Sequence, residues 1–177
     1  MAYIQLDSSL PGMQSLLAYR PQIASPMKTL MSVMMRSDEG LSKGERELIA
    51  TYVSSLNDCY NCHQIHGEVA QCFFEELPDL VENVKADFQK AELTNRQKAI
   101  LGIAANVQKN GKLVTDQQIS DAKNLGITDL EIHDTVLISA MFCFFNRYID
   151  GLGIVSQDTP ETFRERAKMI AEFGYGH

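Results

Sequence analysis

No stretch of this 177-residue chain carries an apolar run near the ~20 residues that cross a bilayer, which excludes a membrane-spanning helix. Positive charge is the minority. Sixteen Lys and Arg stand against 23 Asp and Glu, a net charge of −7, so general attraction to a phosphate backbone is excluded and nucleic acid is not an expected partner. Low-complexity tracts are missing, and nothing sustains the period-two alternation of a half-buried strand, so no sheet is expected. The opening MAYIQLDSSLPGMQ lacks a basic region followed by an apolar one, so no secretory signal is read there and a cytoplasmic location is expected. Cysteine is scarce, at four residues. In a chain without a signal these fit a reducing compartment, where a C-x-x-C pair is more often catalytic than structural.

What is present is ordinary globular composition, 45% hydrophobic, in a length that suits one well-buried core and not two. Residues 1–177 are therefore read as a single all-α domain, a helical bundle. Ser25-Pro26 reads as an N-cap with proline at the first helical position, opening MKTLMSVMMRS. Ser42-Lys43-Gly44-Glu45 is a capping box for the next helix, and Thr94-Asn95-Arg96-Gln97 opens another, which Asn110-Gly111 ends. Thr115 and Asp116 begin a further helix that stops near Gly126. From Asp129 a long stripe follows in Ile132, Val136, Leu137, Ala140, Met141 and Phe144. The methionine-rich MKTLMSVMM is adaptable packing, not a cofactor box. LSKGERELI and LTNRQKAIL form a weak internal repeat. Its second copy puts Ala99, Gly111 and Val114 where the first has Glu47, Cys59 and Cys62, so only the first copy carries chemistry.

That chemistry lies in ERELIATYVSSLNDCYNCHQIHGEV, residues 45–69, with the motif itself in 47–66. Asn57 and Asp58 supply N-cap chemistry for a helix beginning at about Cys59, which places the C-x-x-C pair in its first turn. Two sulfurs one turn apart can exchange a proton or close a small disulfide. His66, four residues after Cys62, lies over the same helix face and can reach that thiol directly or through a water. An ordinary thiol, with a pKa near ~8.5, is mostly protonated at neutral pH, and an imidazole or a helix N-terminus corrects that. Glu47 sits on the preceding amphipathic segment. It either decorates a solvated face or, if the two helices fold back on each other, orients His66.

The string E-x11-C-x2-C-x3-H, here Glu47, Cys59, Cys62 and His66, resembles the signature of the alkylhydroperoxidase D family within the carboxymuconolactone decarboxylase-like superfamily. LLAYRPQIASPM and ITDLEIHDTVLISAMFCFFNRYIDGLG are similar to segments of its peroxidase-related branch, so the likeness runs from about Pro11 to Gly153. The resemblance implies an all-α fold, a homo-oligomer, peroxide reduction by the cysteine pair and a proton relay through Glu47 and His66. Asn61 departs from the pattern, since some members carry a histidine before the second cysteine. Here His63 follows Cys62 instead, as an auxiliary group that tunes the pocket.

The expected function is a thiol-dependent alkyl hydroperoxidase or disulfide oxidoreductase, taking a hydroperoxide as substrate and a dithiol as electron donor. Cys62 attacks and Cys59 resolves, or the order is reversed, since Cys59 is favoured by the helix N-terminus. The alternative is a non-enzymatic redox sensor or interaction protein switched by a Cys59–Cys62 disulfide. A decarboxylase of the wider superfamily fits less well, because that branch does not depend on a cysteine pair. No cofactor is expected. Cys59-Tyr-Asn-Cys62-His63 matches a haem-attachment pattern, but that reading leaves Glu47 and His66 unused and needs export. Metal is not expected either, because Cys59, Cys62, His63 and His66 spread around one helix and cannot converge tetrahedrally. Cys72 and Cys143 read as small buried hydrophobes, His133 as a surface or interface residue, and His177 as a frayed terminus.

Overall fold

Hydroxyl side chains punctuate this chain, and five of the helices among the described residues begin at them. Ser42, Thr94 and Thr128 each accept the backbone N–H three residues on, and the Glu45, Gln97 and Glu131 side chains there return the bond. The computed structural model describes residues 2–156 and 158–175, and His177 lies outside them. Among the described residues the regular elements are helical: α1 Met13–Tyr19, α2 Pro21–Arg36, α3 Lys43–Leu56, α4 Tyr60–Phe73, α5 Leu80–Asp87, α6 Asn95–Lys109, α7 Asp116–Asn124, α8 Asp129–Gly151 and α9 Pro160–Phe173, with a 3₁₀ turn at Gly111–Leu113. None of these helices is long and apolar enough to cross a membrane.

Helix α3 is the axis of the molecule. Every residue from Gly44 to Ser54 is buried, because α2, α4, α5, α6 and α8 all pack against it. Leu48, Ile49 and Val53 meet Met35, Ile100, Ile103, Ile138 and Phe142 in the main core. Each such side chain contributes roughly 1.5–3 kcal/mol on full burial. Arg46, fully buried on the same helix, donates to the carbonyls of Met34, Glu39 and Leu41 and pairs with Asp134 at 2.9 Å. It thereby ties the end of α2 to α3. Arg96 bridges Glu45 and Glu131, the return residues of two capping boxes, and so couples the starts of α3, α6 and α8.

Two expectations about boundaries and one about burial need correction. Helix α2 opens at Pro21, in the first helical position, and Pro26 lies inside it. Proline at 26 removes one intrahelical N–H, but Gln22, whose carbonyl loses that partner, is on an exposed turn where water can replace it. Asn57 and Asp58 close α3 and do not cap α4. Asp58 sits at φ 57, and the N–H groups of Asp58 and Cys59 return to the carbonyls of Ser55 and Ser54 at 3.1 and 3.0 Å. This is a Schellman termination with aspartate in the usual glycine position. Cys59 is then the N-cap of α4, with no side-chain cap bond, and Cys62 falls in the first turn. Cys72 and Cys143 are half-buried where full burial was expected, and each thiol finds a backbone carbonyl, Glu68 and Gln108 respectively. His133 is on the surface, 66% exposed, beside Asp134.

The tight α3–α4 hairpin brings the motif together. A Cβ on Gly67 would stand 3.2 Å from Val81, so glycine there, one residue beyond His66, lets α5 lie close against α4, while Thr51 of α3 at 3.5 Å would be in ordinary contact.

Candidate functional site

The cysteine sulfurs sit in a small apolar nest of their own, apart from the main core. Leu16, Ile149 and Ile154 pack with Cys59 and Cys62, and Met13, Tyr148 and Leu152 border them. Cys59 is 0% and Cys62 5% exposed, so of the two, Cys62 faces outward. Both are free thiols, hydrogen-bonded to each other at 3.0 Å. The hydrogen bond with Cys59, reinforced by burial, pushes the Cys62 thiol far up, while Asn146 opposes the rise. One S–H thus lies between the two sulfurs, and the Cys62 thiol is hard to ionise while that bond stands.

The Asn146 amide is itself fixed. It donates to Ser54 Oγ at 3.1 Å and accepts from Asn57 at 2.8 Å, and Asn57 in turn accepts from Gln108 at 2.8 Å. This network joins α3, α6 and α8 directly beneath the dithiol. On the same α8 face, Phe142 meets the His66 ring edge-on at 4.6 Å, and Asp150 addresses the Cys59 thiol. Residues 142, 146 and 150 recur every four positions, so one helical stripe lines the whole site. Burial raises the Asp150 carboxyl, and the bond from Cys59 works against it.

Glu47 is fully buried, not on a solvated face. Its Oε2 lies 2.8 Å from His66 Nδ1, and its Oε1 accepts from Arg36 Nη1 and from the Tyr175 hydroxyl, each at 2.7 Å. Arg36 and Tyr175 donate to one oxygen of this carboxylate, so the other, facing His66, is an acceptor and Nδ1 carries the ring proton. The other ring nitrogen is left as the acceptor. This tautomer is assigned from the network. Arg36 also donates to the Ile170 carbonyl at 3.1 Å, near the C-terminal end of α9, and stacks over Tyr175 at 4.8 Å.

The structure thus brings Glu47 to His66 and Cys59 to Cys62, but no direct hydrogen bond joins the two couples. His63 stands apart from both. It is half-buried and packs edge-on against Tyr60 at 5.5 Å, with Nδ1 buried and unpartnered. Burial and then Lys85 push its pKa down. Asn61 anchors the segment after α8 by donating to the Ile154 carbonyl at 3.0 Å. No cluster of three or more His, Cys, Asp or Glu side chains arranged to hold a metal ion occurs among the described residues. A groove lined by Ser37, Gly40, Lys43 and Phe74 lies at the N-terminal end of α3, away from the sulfurs.

Arg36, Asn146, Asp150 and Tyr175 are absent from the sequence reading. Asn146 and Asp150 had a findable signal, a polar pair four apart inside the apolar α8 stripe. Arg36 and Tyr175 had none, being joined to Glu47 only by tertiary structure.

No protein-family model and no curated protein matches this sequence. Solved structures do. A crystal structure described as alkylhydroperoxidase AhpD core, an uncharacterized peroxidase-related protein from Ralstonia eutropha JMP134, superposes with a TM-score of 0.79 at 30% identity, over 87% of this chain and 80% of that one. An uncharacterized peroxidase-related protein from Silicibacter sp. TM1040 shares the fold, with a TM-score of 0.77 at 24% identity over 83% and 76% of the two chains.

Proposed function

This chain belongs to the alkylhydroperoxidase D-like family, and from that premise we propose that it is a thiol-dependent peroxidase working through Cys59 and Cys62. The observation that carries the reading is the pairing of a reduced dithiol at 3.0 Å with a buried Glu47–His66 couple on the same helix hairpin.

In this reading Cys62, the more accessible sulfur, has a thiol that Cys59 and burial hold far up, so it ionises only by giving its proton, through a bridging water, to the free nitrogen of His66. The thiolate attacks the terminal oxygen of a hydroperoxide. The O–O bond breaks, and the alkoxide leaves with the proton from His66 as an alcohol. Cys62 is now a sulfenic acid. Cys59 attacks its sulfur, the S–O bond breaks, and hydroxide leaves as water with the proton that Cys59 gave up, for which Asp150 is the adjacent acceptor. One hydroperoxide is reduced to alcohol and water, and two thiols are oxidised to one disulfide. A dithiol donor in the reducing cytoplasm returns the electrons by exchange. The active form is a homo-oligomer, following the family, and the expected mass in light scattering is a multiple of 19.8 kDa.

Hydroperoxide consumption in the presence of excess dithiothreitol decides the matter. The wild type turns over many equivalents per chain, and Cys62→Ser turns over none. Consumption that stops at one equivalent in the wild type identifies a redox sensor instead.

A further inference from the structure

Tyr175 enters the site from the end of the described chain. Helix α9 stops at Phe173, and Gly174, at φ 82 and ψ −165, takes a backbone conformation that side chains with a Cβ rarely adopt. That turn carries the next residue back under α4. The Tyr175 hydroxyl lies 2.7 Å from Glu47 Oε1 and 2.9 Å from His66 Nδ1, and its ring packs on His66 at 5.7 Å.

The hydroxyl has one proton to give. His66 Nδ1 stands 2.8 Å from Glu47 Oε2, a contact that is attractive only if Nδ1 is a donor. Nδ1 therefore cannot also accept from the phenol, and Tyr175 donates to Glu47. The two carboxylate oxygens are divided: Arg36 and Tyr175 hold Oε1, and His66 holds Oε2.

We propose that Tyr175 is a positioning residue of the dithiol site. Its hydroxyl draws on the charge of Glu47 through Oε1 and so sets how strongly Oε2 polarises His66. The inference rests on Glu47 and His66 being the proton path to the thiols. Burial, reinforced by the Glu47 charge, keeps the phenol protonated, so it remains a donor throughout. Removing the hydroxyl concentrates the carboxylate charge on Oε2, makes His66 a stronger base and lets the reactive thiol ionise at lower pH. Removing the charge of Glu47 does the opposite.

The test is the midpoint of the iodoacetamide alkylation rate against pH, measured on the reduced protein. Tyr175→Phe keeps the ring over Arg36. Its midpoint should fall by about half a unit to one unit, the effect of one hydrogen bond, while that of Glu47→Gln rises. In the Glu47→Gln background, Tyr175→Phe should add nothing, because the hydroxyl acts only through that carboxylate. An unchanged or raised midpoint in Tyr175→Phe overturns the proposal, as does a fall that survives in the Glu47→Gln background. In the wild type, imidazole ¹⁵N shifts should place the His66 proton on Nδ1, and a proton on Nε2 overturns the proposal without any variant. Hydroperoxide turnover is scored separately. A wild type that alkylates as described but does not turn over refutes the peroxidase reading and leaves Tyr175 decided.

Discussion

In the proposed mechanism Glu47 governs the proton path through geometry alone. Its Oε2 fixes the His66 proton on Nδ1, and with it the identity of the nitrogen that can take a proton from a thiol. Glutamine is nearly the same shape but offers an N–H on one side. In Glu47→Gln the amide oxygen stays with Arg36 and Tyr175, and the amide N–H turns toward His66 Nδ1. The ring proton then moves to the other nitrogen, and the base is lost although every atom is in place. Peroxide turnover should fall ~10²–10⁴-fold with the fold intact, against a factor of about two for a surface glutamate. Steady-state kinetics with circular dichroism on the same samples separate the two outcomes. Glu47, Cys59, Cys62 and His66 were legible because their chemistry is written in short spacings on one hairpin. Tyr175 is 128 residues from Glu47, and nothing local to either marks the contact.

At the level of the helix, a start is legible when a hydroxyl and its return partner lie within one turn. The starts of α3, α6 and α8 are of this kind. α9 carries Thr159 and Pro160, a cap that periodicity reading passed over because the helix is polar. The start of α2 misled because Ser25-Pro26 imitates a cap inside a helix that Pro21 had already opened. The α8 cap also has a pH signature. Burial alone would raise the Glu131 carboxyl. The N–H and hydroxyl of Thr128, with Arg96 alongside, outweigh it and hold the carboxyl below its ordinary range. A carboxyl lowered by folding adds stability above its unfolded pKa, ~4.3 for glutamate, and loses it as pH falls through the lower folded value. Urea unfolding of wild type and Glu131→Gln should therefore differ by about 1 kcal/mol near pH 7. The difference should shrink below pH ~4 and vanish in stronger acid. A difference constant with pH would place the contribution in shape, not charge.

Across the whole molecule, one cation holds together elements that the sequence keeps far apart. Arg36 ends α2, pairs with Glu47 on α3, donates to the Ile170 carbonyl of α9 and lies over the rings of Phe73 and Tyr175. Its side chain is 13% exposed and that of Glu47 is 0%, so the pair is largely desolvated. Such a pair adds little over an apolar replacement of both partners, but removing one partner strands the other charge at about 3–5 kcal/mol. Arg36→Met keeps most of the stem and removes the charge. For a chain of this size, each kcal/mol moves Tm by about 2–4 °C, so Arg36→Met should melt roughly 6–20 °C below wild type. Adding Glu47→Gln to Arg36→Met neutralises the stranded carboxylate and should recover over half of that loss, although the double variant is further from wild type in sequence. The recovery is the diagnostic result. If Arg36 stabilised the fold only by packing its stem and stacking on the rings, changing Glu47 would recover nothing and the two losses would add. Calorimetry of the four proteins in one buffer near pH 7 distinguishes the cases. Recovery of melting temperature without recovery of peroxide turnover would show that one ion pair joins α2, α3 and α9 and also holds the base of the dithiol.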